Sequence, residues 1–133
     1  MNEKYDKIRI LYDKGSLDIK ASETLANERD GEFYSSIICF HSQQAIEKYL
    51  KAFLMYNEAS IPKTHDLLRL AAFCSDFNTV FAEFELEGFA SYGVDIRYDD
   101  PQPTFDEAKN SIVVAKKVMD YVVKQIPMEE SKG

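Results

Sequence analysis

The densest group of residues able to do chemistry lies mid-chain, in the run His41-Ser42-Gln43-Gln44-Ala45-Ile46-Glu47-Lys48-Tyr49-Leu50-Lys51. On a helix turning 100° per residue, His41, Gln44, Lys48 and Lys51 fall within roughly an 80° arc, with Glu47 at its edge. The rest of this helix is almost wholly apolar, so a polar stripe here needs partners. An unpaired buried polar group costs on the order of 1–3 kcal/mol. Four partners fit: other polar residues of the bundle, water on a face where (i, i+4) pairs such as Gln44–Lys48 and Glu47–Lys51 satisfy one another, a second subunit, or a ligand. Two further clusters lie outside the run. Lys63-Thr64-His65-Asp66-Leu67 occupies a helix start, where backbone N–H groups favour an anion or a cap. Arg97-Tyr98-Asp99-Asp100 opens a proline loop, and its guanidinium suits a phosphate or a carboxylate, with Glu47 as the obvious acid. The candidate ligand-binding residues are therefore His41, Gln44, Glu47, Lys48, Lys51, Lys63, His65, Arg97, Tyr98 and Asp99.

Common catalytic patterns are missing. The chain has no phosphate-binding glycine loop, no dinucleotide turn, no HExxH and no serine in a nucleophile elbow. His41 and His65 have no sequence-evident nucleophile beside them. Cys39 and Cys74 each sit in an apolar run and read as reduced, buried thiols. With two His and no CxxC spacing, no metal site and no cofactor are expected.

The elements that must position these residues are helices. Ile8, Leu11, Tyr12, Gly15, Ile19, Ser22 and Leu25 recur at three- and four-residue steps, predicting a helix from about Lys4 to Asn27, with a bend or break at Gly15. Asp30-Gly31 restarts the chain, with Asp30 as N-cap of a central helix from about Glu32 to Tyr56. Thr64 is expected to cap a short helix, His65 to about Cys74. A fourth segment, about Asn78 to Tyr92, carries Val80, Phe81, Phe84 and Phe89. After the loop Asp99-Asp100-Pro101-Gln102-Pro103, Thr104 and Glu107 form a capping box for a last helix that Pro127 ends. The reading is all-α: an up-and-down helical bundle of four to five helices, one domain over 1–127, with a polar, disordered tail at 128–133.

The formal charge is −7, from 16 basic and 23 acidic residues. Coating nucleic acid or an anionic membrane normally needs a basic face, so an acidic total argues against broad binding of either kind while leaving room for a local basic pocket. The start of the chain has no apolar stretch resembling a signal peptide, and no uncharged run approaches membrane-spanning length. A cytoplasmic location, away from membranes, is expected.

The run from Cys39 to Leu54 resembles the signature helix of HEPN domains. Lys63-Thr64-His65-Asp66-Leu67 is similar to the family's segment after that helix. Arg97-Tyr98-Asp99-Asp100, followed by an Ala-rich helix, resembles the segment before its last helix. These three pieces occur in order and span roughly residues 12 to 126. The resemblance implies a bundle that commonly dimerises, and genes often paired with a small nucleotidyltransferase in toxin–antitoxin or related systems. It also implies one of two activities: nucleotide binding, from which the family takes its name, or RNA cleavage by an Arg followed four to six residues later by a His. None of Arg9, Arg29, Arg69 and Arg97 has a His at that distance, and both histidines precede Arg97. The expected function is thus a non-catalytic binding module, a homodimer in the family's manner, that takes a nucleotide or a nucleotidyltransferase partner. The rivals are a ribonuclease with a non-standard active site and a purely structural dimer.

Overall fold

A computed structural model describes residues 3–89 and 102–128. It is an all-α bundle, with four helices and no strand among the described residues. The helices are α1 (Glu3–Ala26), α2 (Ser35–Tyr56), α3 (Leu67–Ser75) and α4 (Phe105–Gln125).

Helix α2 lies at the centre, because it is apolar on three sides. It packs on α1, α3 and α4, and Ile38, Ile46, Leu50 and Leu54 are wholly buried. Each such side chain contributes about 1.5–3 kcal/mol through removal from water. Ser22, Ser42 and Ser111 form a buried seam between α1, α2 and α4. The Ser22 hydroxyl donates to the Ile38 carbonyl at 2.8 Å, and the Ser42 hydroxyl donates to Ser22 at 3.2 Å. Ser111 Oγ lies 2.9 Å from Ser42 Oγ and 2.6 Å from the Ala108 carbonyl. Small hydroxyl residues let the backbones approach while every oxygen keeps a partner. Further along, Phe81 stacks on Phe53 at 4.4 Å and meets Tyr121 edge-on at 5.4 Å. The contacts thus advance from Ser42 to Phe53 on α2 as they advance from Ser111 to Tyr121 on α4. These two helices run parallel, and α3 with the turns after it carries the chain back.

Several local expectations change. Gly15 does not break the helix; α1 runs through it. A Cβ there would stand 2.7 Å from the Tyr49 ring, so glycine is needed for the close approach of α2. Asp30 makes no side-chain cap; a 3-10 turn over Gly31–Tyr34 comes first and α2 starts at Ser35. The cap of α3 is Asp66, whose carboxylate accepts from the N–H groups of Leu68 and Arg69, and the helix starts at Leu67. Thr64 instead accepts from the Asp66 N–H at 3.1 Å. The segment expected to be helical from Asn78 forms two 3-10 turns, Thr79–Glu83 and Glu87–Phe89. Phe81 and Phe89 are buried from these turns, and Leu86 from the residues between them. The capping box of α4 forms as read, with Thr104 and Glu107 exchanging side-chain to backbone bonds.

Candidate functional site

The polar stripe on α2 is built as two clusters, each centred on a carboxylate, Glu47 buried and Asp18 partly so. The first carboxylate comes from α1. Asp18 accepts from Lys48 and lies 3.0 Å from His41 Nδ1. Its side chain is only 14% exposed, while those of His41 and Lys48 are 31% and 24% exposed. The second is Glu47, 8% exposed, which accepts from Lys51 at 2.9 Å. Its two oxygens also lie 3.0 and 3.1 Å from His65 Nδ1. His65 stands ahead of α3 with most of its side chain in solvent. In both clusters the acid is less exposed than its nitrogen partners.

This arrangement has a chemical consequence. An ammonium has three N–H donors, so Lys48 and Lys51 each keep two after bonding a carboxylate. Each imidazole engaged through Nδ1 keeps Nε2 for another partner. Holding the cations on these acids restricts their rotamers, which lowers the entropy lost when an anion binds. The arrangement can therefore take phosphate or carboxylate oxygens. It offers no paired nucleophile and base.

His41, Glu47, Lys48, Lys51 and His65 are brought together along one side of α2. Gln44 lies between the two clusters, half-buried, and its amide makes no hydrogen bond among the described residues. It does not pair with Lys48 as (i, i+4) spacing suggests, because Asp18 takes that ammonium. The Glu47–Lys51 pair forms as read. Lys63 is exposed and makes no ion pair among the described residues. Arg97, Tyr98 and Asp99 lie outside the described residues, and so does the expected Arg97–Glu47 pair. Glu47 is buried, with Lys51 and His65 as its partners among the described residues.

Asp18 was absent from the candidates read off the sequence. Its signal is the spacing Leu11, Gly15, Asp18, Ser22, Leu25, an alternation of four and three steps that puts an acid on the inward seam of α1. Gln43 was also passed over. It is 1% exposed, and its Oε1 has no hydrogen-bond partner among the described residues. Both thiols are buried, and burial pushes Cys74 up to about 12.

A cavity of about 730 Å³ opens elsewhere, beside the 3-10 turns and the start of α4. Glu83, Glu85, Glu87, Asp106 and Glu107 line it. Five carboxylates repel an anion, so this cavity is ill suited to a phosphate ligand. No described helix is long and apolar enough to cross a membrane.

Comparison with curated proteins and with solved structures gives no match. The HEPN domain model matches residues 8–126. That match spans α1 through the end of α4, including both carboxylate-centred clusters. The chain belongs to the HEPN family, a family of nucleotide- and RNA-binding domains.

Proposed function

We propose that this chain is a non-catalytic HEPN module that binds the phosphates of a nucleotide on the α2 stripe. In this reading it works as a homodimer beside a small nucleotidyltransferase, in a two-component system of the toxin–antitoxin kind. The observation that carries the ligand reading is that two acids, Asp18 at 14% and Glu47 at 8% exposure, hold His41, Lys48, Lys51 and His65 at positions more exposed than their own. In a chain of formal charge −7, a phosphate ligand needs such a local concentration of donors. The absent Arg–His spacing supports binding over cleavage, since breaking RNA requires a positioned base and stabilisation of the charged transition state.

Calorimetric titration with ATP and with inorganic tripolyphosphate tests the site. Both are expected to bind, with affinity falling as salt rises. A charge-assisted hydrogen bond contributes about 1.5–3 kcal/mol, so Lys48→Ala and Lys51→Ala should each weaken binding about tenfold or more. Unchanged affinity in the double variant overturns the assignment. RNA incubated with the protein in EDTA should stay intact; cleavage that Arg97→Ala or His65→Ala abolishes would establish the ribonuclease reading instead. Light scattering should give twice the protomer mass, and co-purification should recover a nucleotidyltransferase encoded beside this chain.

A further inference from the structure

The exposed side of α2 continues past the cations, toward the start of the helix. Phe40, Gln44, Lys48 and Lys51 follow one another at steps of four, four and three residues, so they share one face of α2. At 1.5 Å per residue, Lys48 stands about 12 Å along the axis from Phe40, and Lys51 about 16 Å. That spacing matches an extended nucleoside polyphosphate, with an aromatic ring at one end, ammonium groups at the other and an amide between.

Three features of this face point to a nucleobase. Phe40 is half-buried and keeps part of its ring in solvent. The ring is held edge-on against His41, with centroids 5.5 Å apart and planes at 73°, and His41 is itself held by Asp18. Gln44 is half-buried yet makes no hydrogen bond among the described residues. A fixed aromatic surface suits stacking by any base. A carboxamide has a donor and an acceptor side by side, the pair that matches the N6 and N7 edge of adenine.

We infer that Phe40 and Gln44 form the base subsite of a nucleoside polyphosphate site, Phe40 stacking the base and Gln44 reading its edge with a preference for adenine. This inference rests on the phosphate site proposed above. Stacking on an aromatic residue adds roughly 1–3 kcal/mol per base, which corresponds to about 5- to 150-fold in affinity.

The experiment compares ATP, GTP and inorganic tripolyphosphate by calorimetry on the full chain, in the wild type and in Phe40→Leu and Gln44→Leu. Circular dichroism melts check that each variant keeps its helices. The expected result is ATP bound about tenfold or more tighter than tripolyphosphate. Phe40→Leu should bring ATP down to the tripolyphosphate level and leave tripolyphosphate unchanged. Gln44→Leu should erase the preference for ATP over GTP. Equal binding of ATP and tripolyphosphate by the wild type overturns the base subsite but leaves the phosphate site standing. So does an ATP advantage that survives Phe40→Leu, and an ATP preference that survives Gln44→Leu removes the base-reading role. If neither ATP nor tripolyphosphate binds, the phosphate site and the base subsite fall together.

Discussion

Glu47 of α2 and His65 ahead of α3 meet with both carboxylate oxygens within 3.1 Å of one imidazole nitrogen. This contact joins the central helix to the segment that leads into α3, and Lys51 completes it from one turn along α2.

The two ends of that contact should differ in energetic weight. Glu47 is buried, so Glu47→Gln removes a charged acceptor from a desolvated position and should cost about 1–3 kcal/mol. His65 is 64% exposed, so His65→Ala should cost less than about 1 kcal/mol. Urea unfolding of each variant measures this. Equal losses would mean that His65, and not the buried acid, holds the contact together.

Gly15 and Tyr49 set the distance between α1 and α2. Alanine at 15 would favour the helix by up to about 1 kcal/mol. Its Cβ would, however, meet the Tyr49 ring at 2.7 Å. That ring is 1% exposed and tied through its hydroxyl to Ser16 at 2.9 Å, so it has little freedom to yield. Gly15→Ala should therefore destabilise, by about 1–3 kcal/mol as overpacking does. In a Tyr49→Leu background the same change should cost much less. Additive effects in a denaturation series would show that the ring does not require the glycine.

Gln43 has the opposite expectation. Its buried Oε1 lacks a partner among the described residues, whereas methionine of similar shape asks for none. Gln43→Met should leave stability unchanged or raise it by about 1 kcal/mol, as read by the thermal midpoint. A loss larger than that would mean that the amide has a structural partner.

Alkaline pH should destabilise the fold. Burial, and then the neighbouring Tyr49, push Tyr12 up to about 12. Burial raises Tyr49 against the opposing hydrogen bond from Ser16, and burial alone raises Cys74 to about 12. In each case the folded chain holds its proton more tightly than the unfolded one. The stabilisation is fully present below the unfolded values of 9.0 for Cys and 10.0 for Tyr, and is lost as pH rises toward about 12. Urea unfolding at stepped pH should show a decline starting near pH 9. Tyr12→Phe should flatten it, because it removes a hydroxyl whose proton the folded chain holds more tightly. A flat profile to pH 11 would rule out this coupling.

The sequence by itself determines the helical class, the position of α2 at the centre and the start of α4. Those properties rest on short-range rules: apolar recurrence every three or four residues around Ile46 and Leu50, and a capping box closed within Thr104–Glu107. The face shared by His41, Gln44, Lys48 and Lys51 follows from helix periodicity in the same way. The tertiary structure alone decides what meets that face. Asp18 is 23 residues from His41 and 30 from Lys48, and it reaches them because the glycine at 15 lets α1 settle against Tyr49 with Asp18 on the seam. The segment after Asn78 also escapes local rules. Its aromatic residues suit a helix by composition, but Phe81, Leu86 and Phe89 must all reach a core already shaped by α2, α3 and α4, and two 3-10 turns with the residues between them place them there. Burial against distant elements outweighs intrinsic helix preference, which amounts to only tenths of a kcal/mol per residue.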